Sequence, residues 1–156
     1  MKRIITLSGH KQCGKHSLAT KWGRNENVCF IQPYTDNPKR RFDDFPFLTS
    51  KKLLAKIGSE PLIAMTEFKD FTYVYFPSQL MDDFNVIIAD DTILNSIHNN
   101  YENVVTVWVE NPAAEESDRV GKYKKESYDY VFNYGIDDPD EFLEQLAFDV
   151  ELVQTF

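Results

Sequence analysis

Ile4-Ile5-Thr6-Leu7-Ser8-Gly9-His10-Lys11-Gln12-Cys13-Gly14-Lys15-His16-Ser17 is the stretch on which the fold turns. An apolar, β-branched run ends at a glycine, and Gly14-Lys15 then opens a segment of helical character. This is the G-x-x-x-x-G-K core of a phosphate-binding loop, set between a strand and a helix. Glycines let the backbone turn so that several N–H groups point at one phosphate. The helix behind adds the positive end of its dipole. Gly9, His10, Lys11, Gln12, Cys13, Gly14, Lys15, His16 and Ser17 are therefore the candidate residues for a nucleotide's phosphates. Lys15 is the residue expected to reach the β- and γ-phosphates of ATP. The next position usually supplies a hydroxyl to Mg²⁺, but here it is His16, and Ser17 follows. Imidazole is a poorer Mg²⁺ ligand than oxygen. Either Ser17 takes the hydroxyl's place or an acidic residue holds the ion, directly or through water.

Beyond this loop the chain alternates strand and helix signals. Val28 to Ile31 is a short apolar strand, and residues 33–41 are rich in turn formers. Thr49 or Ser50 caps a helix through Leu53 and Ile57, closed by Gly58. Leu62 to Met65 and Phe71 to Phe76 read as strands joined by a turn at Lys69-Asp70. Pro77-Ser78 begins a short helix. Asn85 to Asp91 is the clearest central strand, apolar on both faces as a covered parallel strand should be. A helix over 92–100, a strand over 104–109, a polar stretch over 113–125, a strand from Tyr128 to Phe132 and a helix capped by Asp138-Pro139 complete the chain. The pattern predicts an α/β fold, three layers around a mostly parallel central sheet. Ligands in such folds sit outside the carboxyl ends of the strands. Asp90 and Asp91 lie at such an end. P-loop proteins hold Mg²⁺ or its water from there, and an aspartate there also caps the following helix. Two in succession allow one for each task.

Composition narrows the alternatives. The 156 residues make one domain, with 42% hydrophobic and 14% aromatic residues for its core. Seventeen basic residues against 25 acidic ones give a net charge of −8, which argues against a nucleic-acid surface, although a local basic pocket is compatible with it. No run is long enough to span a bilayer. Cys13 and Cys29 make neither a disulfide framework nor a zinc pattern and read as reduced thiols, so a cytoplasmic location is expected. The histidines show no metal-site spacing. The dense aromatics from Phe42 to Tyr75, Tyr73 among them, serve as core or stack on a base.

Taken together, these motifs resemble the guanylate kinase family of P-loop nucleoside monophosphate kinases. Gly9 to Ser17 matches its phosphate loop. Phe30 to Thr35 sits where the family has a Ser-Tyr-Thr-Thr-Arg segment that contacts the acceptor phosphate, which implicates Tyr34 and Thr35. Asp44 to Thr49 is similar to its Asp-Tyr-x-Phe-Val-Ser. Leu62 to Glu67 resembles its Phe-Leu-Glu-Tyr-Ala-Glu, which implies that Glu67 reads the acceptor base. Val86 to Asp91 resembles its strand ending in aspartates. Ser127 to Asn133 resembles its Tyr-Asp-Tyr-Val-x-x-Asn and implies that Asn133 lies near the donor's base. There are also departures. Pro33 replaces a phosphate-binding serine, Asn37 stands near an expected arginine, Phe45 replaces a tyrosine, and Tyr75 sits near an expected threonine. The lid, residues 111–126, is short and carries only Arg119 among arginines.

The resemblance implies a single kinase-like domain over 1–156, with an inserted acceptor region over about 33–76. It also implies transfer of a phosphoryl group from ATP, with Mg²⁺, to a nucleoside monophosphate. Lys15, Arg119, Asp90 and Asp91 are then the candidate catalytic groups. Arg40, Arg41, Glu67, Tyr73 and Asp91 join Tyr34 and Thr35 as acceptor-binding candidates. Ser17 and Asp90 are the metal candidates. The arginine-poor lid and the altered hydroxyl position suit a second reading, a binding or interaction module that keeps the fold with impaired catalysis. Small-molecule nucleotides are the expected partners, with no nucleic acid and no membrane; a protein partner is left open.

Overall fold

The computed structural model describes residues 2–43, 45–114 and 125–155, with side chains described except at 41–43, 125 and 151–155. Its centre is β1 (Lys2–Ser8), in which successive apolar residues serve opposite faces. Ile4 packs with β6 (Asp83–Ile88) and with α3 (Asp91–Asn100) through Ile87, Ile93, Leu94 and Ile97. Ile5 and Leu7 pack on the other face against Leu18, Ala19 and Trp22 of α1 (Lys15–Trp22) and Leu143 and Leu146 of α4 (Pro139–Thr155). The period-2 alternation of a strand thus feeds two cores, one on each face, giving the three layers expected.

The five strands run parallel in the order β2-β6-β1-β7-β8, where β2 is Val28–Phe30, β7 is Val104–Glu110 and β8 is Tyr130–Asn133. The chain leaves β1 toward one edge and later returns past it to the other, so the crevice outside the end of β1 is the topological switch point. Register brings the strand ends together there. Leu7 stands opposite Ile88 and Ser8 opposite Trp108, and the Ser8 hydroxyl donates to the Ala89 carbonyl at 2.8 Å.

A second sheet, antiparallel and ordered β3-β5-β4, stands beside this crevice, with β3 at Tyr34–Thr35, β4 at Ala64–Phe68 and β5 at Phe71–Tyr75. With α2 (Ser50–Ser59) it makes a small core of Leu53, Val74 and Phe76. Thr49 caps α2, accepting from the Lys52 N–H. The β4–β5 hairpin turns through Lys69 and Asp70 at φ 50° and 69°, the two left-handed residues that a tight hairpin needs. This turn moves β4 later than the expected strand over 62–65, because Phe68 must face Phe71. The last strand also starts later than Tyr128. Asp129 is engaged with Thr106, taking its N–H at 2.9 Å and fixing β8 in register beside β7.

Candidate functional site

The loop between β1 and α1 owes its shape to its glycines. A Cβ at Gly9 would stand 2.7 Å from both Cys13 Sγ and the Val109 carbonyl. Gly14 holds φ 101° as the residue before α1, and a Cβ there would meet the Tyr134 ring at 2.4 Å. Helix α1 therefore begins at Lys15, and Lys15 and His16 line the crevice. Cys13 is buried beneath the loop, and burial raises its thiol pKa against the lowering effect of Lys15. The Lys15 ammonium donates to the Gly9 carbonyl at 2.7 Å, so it lies across the loop's own concavity.

The crevice is a cleft of about 930 Å³. Gly9, Lys11, Lys15 and His16 form one side; Ile88, Ala89, Asp90 and Ile93 form the floor. Arg40, Phe45, Thr66, Phe68, Lys69, Tyr73 and Tyr75, from the segment between β2 and β6, line it as well, with Gln32 and Pro33. Among the described residues, four lysine and arginine side chains line the cleft against one carboxylate, in a chain of net charge −8. Arg40 lies 5.4 Å over the Phe45 ring, and Lys69 5.3 Å over the Phe68 ring. Tyr73 takes an amide N–H from Asn37 at 3.1 Å. Burial, and then the charge of Asp90, push the Tyr75 phenol well above the usual tyrosine range.

No family model and no curated protein matches the chain. The solved structure of guanylate kinase from Anaplasma phagocytophilum aligns with it at a TM-score of 0.68, covering 99% of this chain and 87% of that one at 17% sequence identity. The fold is guanylate kinase-like. At this identity the likeness is one of fold, and the site must be judged from its own residues.

Of the candidates named from sequence, the guanylate kinase-like fold brings Gly9, Lys11, Lys15, His16, Arg40, Tyr73 and Asp90 to one cleft. Several others stand elsewhere. Ser17 is one helical step of about 100° beyond His16 and lines a second cavity of about 460 Å³ instead, with Lys21, Tyr134 and Ile136. His10 packs edge-on against Trp108, and Gln12 is exposed at φ 63°. Asn133 bonds Asp137 through its N–H at 2.7 Å. Tyr34 packs on Phe76, and the buried Thr35 hydroxyl accepts from the Asn37 N–H. Asp91 occupies the first turn of α3, outside the cleft lining. Arg119 lies outside the described residues, as does the side chain of Arg41.

Glu67 needs the largest correction. Side chains alternate along β4, so Thr66 and Phe68 face the cleft while Met65 and Glu67 are exposed outside its lining. In the six-residue run quoted above, the earlier family glutamate falls on Ala64, which carries no carboxylate. Phe68, one of the aromatics read as core or as stacking on a base, lines the cleft; Lys69, Thr66 and Gln32 are cleft residues that sequence reading did not single out. The turn at Lys69-Asp70 was the available signal, since the register it imposes decides which β4 residues face inward.

For a divalent ion, the described lining residues offer one carboxylate. Asp90 accepts the Ile93 N–H on Oδ1 at 3.0 Å, capping α3, and lines the cleft. Among the described residues no three His, Cys, Asp or Glu side chains converge to hold a metal. This fits Mg²⁺, which protein sites often bind through one or two carboxylates together with substrate phosphates. No described helix is long and apolar enough to cross a membrane.

Proposed function

We propose that the chain binds ATP at the phosphate loop and transfers its γ-phosphoryl group to a nucleoside monophosphate held by the inserted region. The observation that carries this reading is the meeting of the loop, Lys15, Asp90 and two further cations, Arg40 and Lys69, in one cleft of about 930 Å³. In the transfer an acceptor phosphate oxygen attacks the γ-phosphorus, a new P–O bond forms, and the bond to the β-phosphate oxygen breaks, releasing ADP. The protein's share is positioning and charge neutralisation. Loop N–H groups and Lys15 hold the donor phosphates; Arg40 and Lys69 draw in the acceptor phosphate. Mg²⁺, which Asp90 would hold, neutralises charge between the β- and γ-phosphates when bound. The second cavity, between α1 and the loop after β8, has the apolar and polar lining to take the donor's base.

Binding survives and transfer is slow in this reading. His16 supplies no hydroxyl to the ion, and Pro33 and Phe45 bring no hydroxyl to the acceptor phosphate. Asn37, near the expected arginine, is spent on Tyr73 and the Lys39 N–H. These same features favour the second reading, a nucleotide-binding module with impaired catalysis. Calorimetry with ATP and a coupled turnover assay across the nucleoside monophosphates, on the wild type and Lys15→Ala, separate the two. The expected result is ATP binding that weakens at least tenfold in Lys15→Ala, together with measurable but slow transfer. Absence of binding, or binding indifferent to Lys15, removes the proposal. Binding with no transfer to any acceptor selects the module.

A further inference from the structure

The turn after β8 holds an aromatic ring at the edge of the phosphate loop. Asp137 Oδ2 takes the Asn133 N–H at 2.7 Å and its carboxamide at 3.3 Å. The N–H groups of Ile136 and Asp137 turn back to the Asn133 carbonyl at 3.0 and 2.9 Å, and the Tyr134 N–H donates to the Glu110 carbonyl at 2.9 Å. Gly135 supplies the positive φ of 85° within this closed turn. The Tyr134 ring is thereby set against Gly14, at the start of α1, while 40% of the residue remains exposed. Ile136 is 85% exposed. Both line the second cavity, of about 460 Å³, with Ser17, Leu18 and Lys21 of α1. Among the described residues no cation and no second ring stacks on Tyr134.

Helix α1 joins this cavity to the cleft. Lys15 and His16 line the cleft, and Ser17, Leu18 and Lys21 line the cavity. A triphosphate laid along the loop, with its far end at Lys15, leads its nucleoside toward the cavity. A base is a flat π-system, and a ring already fixed on a closed turn stacks on it with little further loss of conformational entropy. The Asn133 carboxamide, expected near that base, is already held by Asp137. We propose, resting on the ATP-site reading above, that Tyr134 holds the donor nucleotide by stacking its ring on the base, with the exposed Ile136 side chain beside it. Stacking of a base on an aromatic side chain contributes about tenfold in affinity.

Calorimetric titration of a non-hydrolysable ATP analogue and of inorganic tripolyphosphate, each with Mg²⁺, into the full chain tests it. Tripolyphosphate carries the phosphates and no base. Tyr134→Ala weakens the analogue by about tenfold, and Tyr134→Phe keeps it within about twofold of the wild type. Tripolyphosphate binding is the same in all three. In Tyr134→Trp the analogue changes the emission of the added indole, and tripolyphosphate does not. Analogue binding indifferent to Tyr134→Ala overturns the proposal, as does indole emission indifferent to the analogue. So does an equal loss of analogue and tripolyphosphate in Tyr134→Ala, which would mean that the ring acts through the shape of the loop at Gly14. These outcomes leave the phosphate-loop reading standing. Should Tyr134→Ala not fold, the indole emission of Tyr134→Trp decides. If the wild type does not bind the analogue, the ATP-site reading falls as well.

Discussion

Gly14 shows how much of the site depends on single residues. Its φ of 101° places the loop N–H groups ahead of α1, and its missing side chain leaves room for the Tyr134 ring. Gly14→Ala should therefore lower stability by about 1–3 kcal/mol, the usual cost of a non-glycine residue forced into such a conformation, and weaken ATP binding as the loop shifts. Thermal unfolding monitored by circular dichroism, with calorimetry alongside, checks both effects. Full stability in the variant would mean that Tyr134 and the loop relax without strain. At this scale the sequence was informative wherever chemistry follows from spacing, as it does for Gly9, Gly14 and Lys15. It misled wherever a side chain's direction mattered. Ser17 is adjacent to His16 in sequence but a helical step away in space, and Glu67 is next to Thr66 but on the opposite side of a strand.

The elements were legible to the extent that local signals set them. Asp138 caps α4, taking the Glu141 N–H at 3.0 Å with Pro139 in the first helical position, and Asp90 does the same for α3. Strand limits were less legible, because pairing partners settle them. β8 begins after Asp129, whose carboxylate takes the Thr106 N–H of β7 and whose neighbour Tyr130 pairs with Val107. Within β8, burial and a hydrogen bond to Asp149 at 3.0 Å push the Tyr130 phenol up to about 12, against an ordinary value of 10.0. The folded state keeps this proton more tightly than the unfolded chain does. Its stabilising contribution is whole below pH 10 and is lost as pH rises from 10 toward about 12. Denaturant titrations over that range should show a steeper alkaline loss of stability in the wild type than in Tyr130→Phe. Equal slopes would show that the Asp149 contact does not hold the proton.

For the molecule as a whole, the notable feature is the contrast between an acidic chain and a basic cleft. The net charge is −8, yet among the described residues Lys11, Lys15, Arg40 and Lys69 line the cleft with one carboxylate, Asp90. Attraction of a polyphosphate to that cleft is electrostatic and should be screened. Between about 0.01 and about 0.1 M salt the screening length falls from about 30 Å to about 10 Å, and affinity for an ATP analogue should drop several-fold. Calorimetry at fixed pH across that salt series measures it. Affinity independent of salt would indicate that loop hydrogen bonds outweigh the long-range field.

The amino-acid sequence by itself determined the phosphate loop, the α/β class and most helix starts, because each rests on contacts between residues close along the chain: glycine spacing, alternation of apolar residues, capping side chains. Tertiary structure alone decided which residues between β2 and β6 line the cleft with the loop. Arg40, Thr66, Lys69 and Tyr73 span 34 positions of chain, and they meet Lys15 only after the hairpin register is set and the second sheet is seated beside the end of β1. A shift of one residue in that register would turn Glu67 inward and Thr66 outward. The make-up of the cleft wall is therefore a property of strand pairing between residues distant in sequence, which local pattern does not encode.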